Sequence, residues 1–227
     1  VMVAIGPPWK RMLATTVRSS FRNQGQICLC GSRILIERSL YDRFRDAFVA
    51  KVKALRVGDP KDPATDLGAV VSEAHMHKVL EHIRIAREEG GRVLCGGERV
   101  QLAGDLSGGW YIAPTVIEGL GPACRTNQEE IFGPVVTLQP FDTEAEAIAL
   151  ANDSGYGLAS MVWSSHVDRV HRMSRALNTG IVWVNCWMVR DLRTPFGGMK
   201  SSGVGREGGT EALRFFTEAK NICVRTV

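Results

Sequence analysis

No stretch of this sequence stays apolar for the ~18 residues that a membrane span requires, and no run of five like charges occurs in it. The first absence predicts a chain that does not engage a membrane. The second, with a net charge of only +4 over 227 residues, excludes the basic arm that nucleic-acid binding would use. Internal repeats and low-complexity segments are also missing. At the start, the apolar run VMVAI gives way to Gly6-Pro7-Pro8, which is too short for a signal-peptide core and predicts a cytoplasmic protein. Metal-ligand spacing is lacking: Cys28-x-Cys30 has no second Cys/His pair to complete a tetrahedral site. His75 and His77, two apart, do not share a helix face. No metal is therefore expected, and the histidines read as structural or solvated. There is no G-x-G-x-x-G either. Six cysteines in a chain of this kind predict free thiols rather than a disulfide framework, most of them packed as small hydrophobes.

What the sequence does contain is ordinary for a globular chain, 44% hydrophobic and 23% charged residues. At about 150 residues per domain this is one large domain or one and a half. Leu40, Phe44, Phe48, Val52 and Leu55 make one face of a helix over 39–55, with Ser39 as its cap. Met76, Val79, Leu80, Ile83 and Ile85 do the same over 72–89, with Ser72 as cap and Gly90-Gly91 as stop. Thr143 and Glu146 form a capping box for a helix over 143–152, and a further helix is predicted over about 166–178 before Gly180. Between these lie β-rich runs: Arg33–Glu37, Arg92–Cys95, Val135–Phe141, Gly157–Trp163, Ile181–Asn185 and Asn221–Val227. Strands alternating with helices predict an α/β fold, a mainly parallel sheet with flanking helices. Residues 58–66 and 103–109 read as surface loops. The glycine-rich stretch 188–209 is too long for a simple connector and points to a functional loop.

The stretch FRNQGQICLCGSR at 21–33 reads as a helix end, a glycine break and a thiol in front of a strand. Gly25 lets the backbone turn sharply. A thiol at such a turn can sit among N–H groups that both activate a thiolate and stabilise an oxyanion. The residues alone leave packing as the competing account of Cys28.

Phe21-x-Asn23-x-Gly25-Gln26-x-Cys28 resembles the cysteine signature of the aldehyde dehydrogenase superfamily. Glu129-Glu130-Ile131-Phe132-Gly133-Pro134-Val135 resembles its second signature, and Pro195-Phe196-Gly197-Gly198-x-Lys200-x-Ser202-Gly203-x-Gly205-Arg206-Glu207 its third. Trp110-Tyr111-x-x-Pro114-Thr115-Val116 and Tyr156-Gly157-Leu158 follow the family's order, so the resemblance covers about 13–227. It implies that Cys28 attacks an aldehyde as a thiolate and forms a thiohemiacetal and then a thioester. The Cys28 N–H is then one oxyanion donor, and a general base activates the water that releases the acid. It further implies that Glu130 holds the ribose of the nicotinamide in NAD or NADP, that Phe132 packs near that ribose and ring, that Gln26 orders the loop, and that Ile27 and Leu29 line the substrate site. Cys30 is expected to line the pocket or pack beside it.

In the family the stretch aligned with 189–194 lines the substrate mouth and is usually apolar or aromatic. Here it holds Arg190 and Arg193, as in the branch that acts on 2-aminomuconic and 2-hydroxymuconic semialdehydes, whose substrates carry a distant carboxylate. A guanidinium reads a carboxylate through two parallel hydrogen bonds, so Arg190 is the expected substrate residue and Arg193 a structural one, against the alternative of a surface pair with Asp191. Three segments follow: a leader at 1–12 that matches nothing in the family, a catalytic domain at 13–209, and a C-terminal helix end and oligomerisation arm at 210–227. The family's cofactor domain, with the Asn of its oxyanion hole and its general base, would precede Cys28, and the chain is expected to be a truncated member or fragment, inactive alone. The arm implies a homo-oligomer, dimer or tetramer. Two other readings stand beside this one: a non-catalytic remnant that only pairs with longer subunits, and a thiol esterase or acyltransferase, which would need a base near Cys28.

Overall fold

The computed structural model describes residues 1–6 and 8–226. In chain order its strands are β1 (Met2–Ala4), β2 (Arg33–Glu37), β3 (Arg92–Cys95), β4 (Arg99–Val100), β5 (Tyr111–Ile112), β6 (Thr115–Glu118), β7 (Val135–Phe141), β8 (Tyr156–Gly157), β9 (Ala159–Trp163), β10 (Ile181–Val184) and β11 (Met199–Lys200). Its helices are α1 (Trp9–Phe21), α2 (Arg38–Lys53), α3 (Glu73–Glu88), α4 (Arg125–Gln128), α5 (Glu144–Asn152), α6 (Val167–Ala176) and α7 (Gly209–Phe216). Seven strands form one sheet in the order β10-β9-β1-β2-β7-β6-β3. Every pairing in it is parallel except β3 with β6. The expected α/β architecture is what forms.

Helices cover the sheet with their apolar stripes. On α2, Phe44, Phe48 and Val52 recur every four residues and are fully buried. The Phe44 and Phe48 rings stack at 5.3 Å between centroids, and Phe48 also stacks on Phe21 at the end of α1 at 6.2 Å. Two side-chain caps close helix starts: Ser72 Oγ accepts from the His75 N–H at 3.2 Å, and Thr143 Oγ1 from the Glu146 N–H at 3.1 Å. The Glu146 carboxylate reaches back to the Asp142 N–H at 2.7 Å, one residue before the N-cap N–H that a capping box uses. Among the described residues no helix is long and apolar enough to cross a membrane.

Four expectations need correction. Residues 1–12 are not a separate leader: Met2–Ala4 is an interior strand of the main sheet, paired on both sides and fully buried, and α1 starts at Trp9. The short apolar run is what a parallel strand covered on both faces requires. Ser39 does not cap α2, because β2 runs directly into the helix with Glu37 at the cap position and no side-chain cap bond. The strand expected over Gly157–Trp163 is broken at Leu158 into β8 and β9, since Tyr156 and Gly157 pair with β11 instead of the main sheet. The strand expected over Asn221–Val227 does not form over 221–226, while Val227 lies outside the described residues. A strand exists only through a pairing partner, and among the described residues no sheet edge takes the segment.

The parallel arrangement positions the site. The Cys28 loop enters β2, residues 129–134 enter β7 and Leu158 enters β9. These segments converge at the amino ends of neighbouring parallel strands.

Candidate active site

At the end of α1 the chain tightens into one 3-10 turn, Arg22–Gly25, in which Asn23 (φ 51) and Gln24 (φ 55) are left-handed. Gly25 follows at φ 71, and a Cβ there would run into the Gly133 carbonyl. Gly133 is itself hemmed in, its missing Cβ facing Val79 Cγ2 of α3 at 2.6 Å. Two glycines thus let the backbone of the thiol loop touch the backbone of the Glu129–Val135 segment. The contact brings two distant signatures together.

Gln26 holds the loop from behind. Its Oε1 accepts from the Val71 N–H at 3.0 Å, and its carbonyl accepts from Asn23 Nδ2 at 3.2 Å. Gln24 Nε2 donates to the Ala69 carbonyl at 3.2 Å. Cys28 stands exposed on the turn. Its N–H makes no hydrogen bond among the described residues and is available to an oxyanion. Cys30 differs: it is half-buried, and desolvation pushes its thiol up to about 11. Burial therefore keeps Cys30 protonated.

A cleft of about 330 Å³ opens beside the loop, and Ile27, Cys28, Cys30, Glu130 and Phe132 are among the residues lining it. Tyr156, Gly157, Ser201 and Ser202 close its far side. No histidine lines it among the described residues. Leu29 does not line it: its side chain is buried in the main core, where alternation along the turn directs it, and its carbonyl accepts from the Trp187 indole N–H at 2.9 Å.

The wall carrying Glu130 and Phe132 is fixed by one face of α3. His75 Nε2 donates to the Phe132 carbonyl at 2.7 Å, Lys78 Nζ to the Glu130 carbonyl at 2.8 Å, and His82 Nε2 reaches Glu129 Oε2 at 3.2 Å. Positions i, i+3 and i+7 share a helix face. Phe132 is held at φ 59 with its ring edge-on to His75, 6.4 Å between centroids. The Glu130 carboxylate is exposed and unpaired among the described residues. The Glu129 carboxylate is bound by Arg125, which pulls it below its ordinary value with help from His82. Sequence reasoning missed this clamp. Its one available signal was the spacing of His75, Lys78 and His82, which by itself says nothing of a partner segment.

Arg190 is not in the Cys28 cleft. It lines a second cleft of about 500 Å³ with Trp183, Phe196 and Glu207. Its guanidinium lies 4.4 Å from the centre of the Phe196 ring. Asp191 is taken by Arg193 through contacts of 2.6 to 3.1 Å, and no carboxylate pairs with Arg190 among the described residues. Trp187, at the start of this loop, hydrogen-bonds the carbonyl of Leu29, the residue next to Cys28. Among the described residues no group of three or more His, Cys, Asp or Glu side chains could hold a metal ion.

The profile of the aldehyde dehydrogenase family matches residues 8–222. Bovine 2-aminomuconic semialdehyde dehydrogenase is 50% identical over 94% of this chain and 44% of its own length. The 2-aminomuconic 6-semialdehyde dehydrogenase of a Pseudomonas species is 45% identical over 96% of this chain and 44% of its own length. Among solved structures, HpcC from Thermus thermophilus superposes with a TM-score of 0.93 at 41% identity, over 96% of this chain and 43% of that one. A betaine aldehyde dehydrogenase variant from Staphylococcus aureus, solved with NAD+, gives 0.91 at 37% identity, over 95% and 44%. The chain thus spans less than half the length of these relatives. With three signatures meeting around one exposed thiol and this family profile running over nearly the whole chain, the protein belongs to the aldehyde dehydrogenase family.

Proposed function

We propose that this chain supplies the nucleophile, the nicotinamide-end contacts and the carboxylate-reading residue of an enzyme that oxidises an aldehyde to a carboxylic acid. The observation that carries the reading is the shared cleft of Cys28, Glu130 and Phe132. Cys28 attacks the carbonyl carbon as a thiolate, and its own N–H donates to the oxygen that becomes negative. The resulting thioester is cleaved by water. Bound NAD would supply the hydride acceptor that this oxidation needs.

The residues present fit one end of that cofactor. A free carboxylate accepts hydrogen bonds from ribose hydroxyls, which suits Glu130, and the partly exposed Phe132 ring offers an apolar wall at the same height of the cleft. The α3 clamp keeps both in place without a loop having to order on binding. NADP would use the same contacts. The substrate we favour is a semialdehyde with a distant carboxylate, of the 2-aminomuconic or 2-hydroxymuconic kind. Arg190 supports this, because a guanidinium held by an aromatic face keeps its N–H edge free for a carboxylate. Ile27 adds an apolar contact. Among the described residues no histidine lines the cleft to serve as general base, and of its two glutamates Glu129 is bound by Arg125 and Glu130 is assigned here to the ribose. Leu213, Phe215, Phe216, Ile222 and Val224 are exposed toward the chain end, which supports 210–227 as an arm buried in a dimer or tetramer.

The test uses the full-length protein that carries this chain. Cys28→Ser is expected to lower NAD reduction with a semialdehyde by more than about a thousandfold, whereas Cys30→Ser keeps most of it. A dead Cys30 variant beside an active Cys28 variant would overturn the assignment, and cleavage of a nitrophenyl ester without NAD reduction by the wild type would favour the esterase reading.

A further inference from the structure

Arg190 is not alone. On α1, Arg11 and Arg18, with Arg22 at its C-cap, stand at i, i+7 and i+11, which is one stripe of a helix. All three are exposed, and none pairs with a carboxylate among the described residues. Arg18 is the placed member: its guanidinium carbon lies 5.7 Å from the centre of the Trp187 ring. Trp187 is buried, 3% exposed, and its indole N–H is fixed to the Leu29 carbonyl, one residue from Cys28. Arg18 therefore rides on the side chain that braces the thiol turn, in the last turn of α1, where a cation is stabilised by the helix carbonyls.

The same device occurs twice around the 187–196 loop: Arg18 on Trp187 and Arg190 on Phe196. An aromatic face occupies the flat side of a guanidinium and leaves its rim of N–H donors unfilled. The one acid on this loop that could fill it, Asp191, is already bound by Arg193. Two guanidiniums with open rims thus rest on aromatic rings of one loop, and the ring under Arg18 is the one that braces the thiol turn.

We propose that Arg18 is a second specificity residue, which binds the carboxylate of an anionic aldehyde as that aldehyde approaches Cys28; the proposal rests on the aldehyde-oxidising reading above. Arg18 holds charge without a structural ion pair, and its placement through Trp187 keeps it in register with the nucleophile. A substrate carrying two anionic groups, or one delocalised over an enol or enamine and a carboxylate, is the class that uses both Arg18 and Arg190.

The experiment uses the full-length protein. Arg18→Met keeps an unbranched stem on Trp187 and removes the charge; Arg18→Lys keeps the charge. Two aldehydes of equal chain length are compared, one ending in a carboxylate and one in a methyl group. We expect Arg18→Met to lower the ratio of their kcat/KM values about tenfold through KM, and Arg18→Lys to restore at least part of it. Calorimetric binding of the six-carbon dicarboxylate muconate, which needs no turnover, is expected to weaken by a similar factor. Equal loss on both aldehydes would overturn the proposal by showing that Arg18 only supports Trp187. An unchanged ratio and unchanged muconate binding would overturn it too, and if Arg190→Ala still lowers the ratio, the aldehyde-oxidising reading survives. A wild type that oxidises neither aldehyde, or a Cys28→Ser variant that oxidises both, would sink the underlying reading itself.

Discussion

Two walls are tied to the thiol turn, one lining the Cys28 cleft and the other lining a second cleft and bonded to Leu29 through Trp187, and they are built differently. The 129–133 wall is short, tied to α3 by three side chains at helical spacing, and pressed against the thiol loop through two glycines. The 187–196 wall is an irregular loop whose cations rest on aromatic faces and whose one ion pair, Arg193 with Asp191, is on the surface. The first wall has little freedom to vary: moving Glu130 or Phe132 means moving α3. The second can exchange side chains without disturbing a helix. A reaction common to many aldehydes calls for a wall of the first kind, and discrimination among them for a wall of the second.

The sharpest way to break the first wall is Gly25→Ala. The residue is at φ 71, and its Cβ would meet the Gly133 carbonyl, so the loop and the wall must separate. A backbone clash added to left-handed strain places the cost at roughly 1–3 kcal/mol or more. Activity in the full-length protein is expected to fall far more than the melting temperature, because Cys28 shifts relative to Glu130. A variant with wild-type kcat would show that the glycine contact does not set the geometry.

Arg190→Ala probes the second wall. If it reads a carboxylate, KM for a carboxylated semialdehyde is expected to rise roughly ten- to a hundredfold, from the ~1.5–3 kcal/mol of a charge-assisted pair. A neutral aldehyde should respond far less. Equal loss on both substrates would make the residue structural, through its stack on Phe196.

The contrast between the walls also explains what could be read from the residues alone. β2, β3 and β7 coincide with the expected runs, because each is an apolar stretch bounded by turns or helix signals. β1 escaped notice: three residues carry no measurable period, and only pairing on both sides makes them a strand. The terminal run 221–226 is rich in β-formers yet unpaired here, since local preference does not supply a neighbour. At the candidate site, motif resemblance singled out Cys28, Glu130 and Phe132, which the fold gathers in one cleft, and chemistry alone left Cys28 ambiguous with a packed thiol. Leu29 was misread because adjacency to a nucleophile does not say which way a side chain points. The α3 clamp was invisible for a different reason: it bonds backbone carbonyls, whose positions no pattern of side chains records.

Stability separates the walls by a smaller margin. His82 is buried, 8% exposed at its side chain, and bonds both the Lys78 carbonyl and Glu129. His82→Leu leaves those acceptors without it and is expected to cost about 1–3 kcal/mol in denaturant unfolding. On the other wall, Arg193→Ala removes a pair whose arginine is 88% exposed, and solvent screening makes its expected effect on unfolding the smaller of the two. Equal costs would mean that the loop is as tightly held as the clamp.

The smallest effect is a pH dependence confined to the first wall. Arg125 holds the Glu129 carboxylate below the ordinary glutamate range, and His82 adds to the shift. A carboxylate whose folded pKa is depressed contributes stability that is present above its unfolded pKa and lost as pH falls through the folded one. The loss therefore falls in the acid range, at and below the ordinary glutamate value of about 4.3. Glu129 is 42% exposed, so solvent screens much of the interaction, and the contribution at neutral pH is under about 1 kcal/mol. Glu129→Gln should lower the denaturation midpoint at pH 7, and its gap from the wild type should narrow progressively as pH falls below the ordinary glutamate range and the folded carboxylate takes up its proton. Arg193→Ala tests the same sign on the other wall, since Arg193 likewise depresses Asp191. There the pair bonds no helix and no buried group, so the acid-dependent gap should be smaller than for Glu129→Gln. A larger gap at Asp191 would reverse the comparison, making the irregular loop the better anchored side of Cys28.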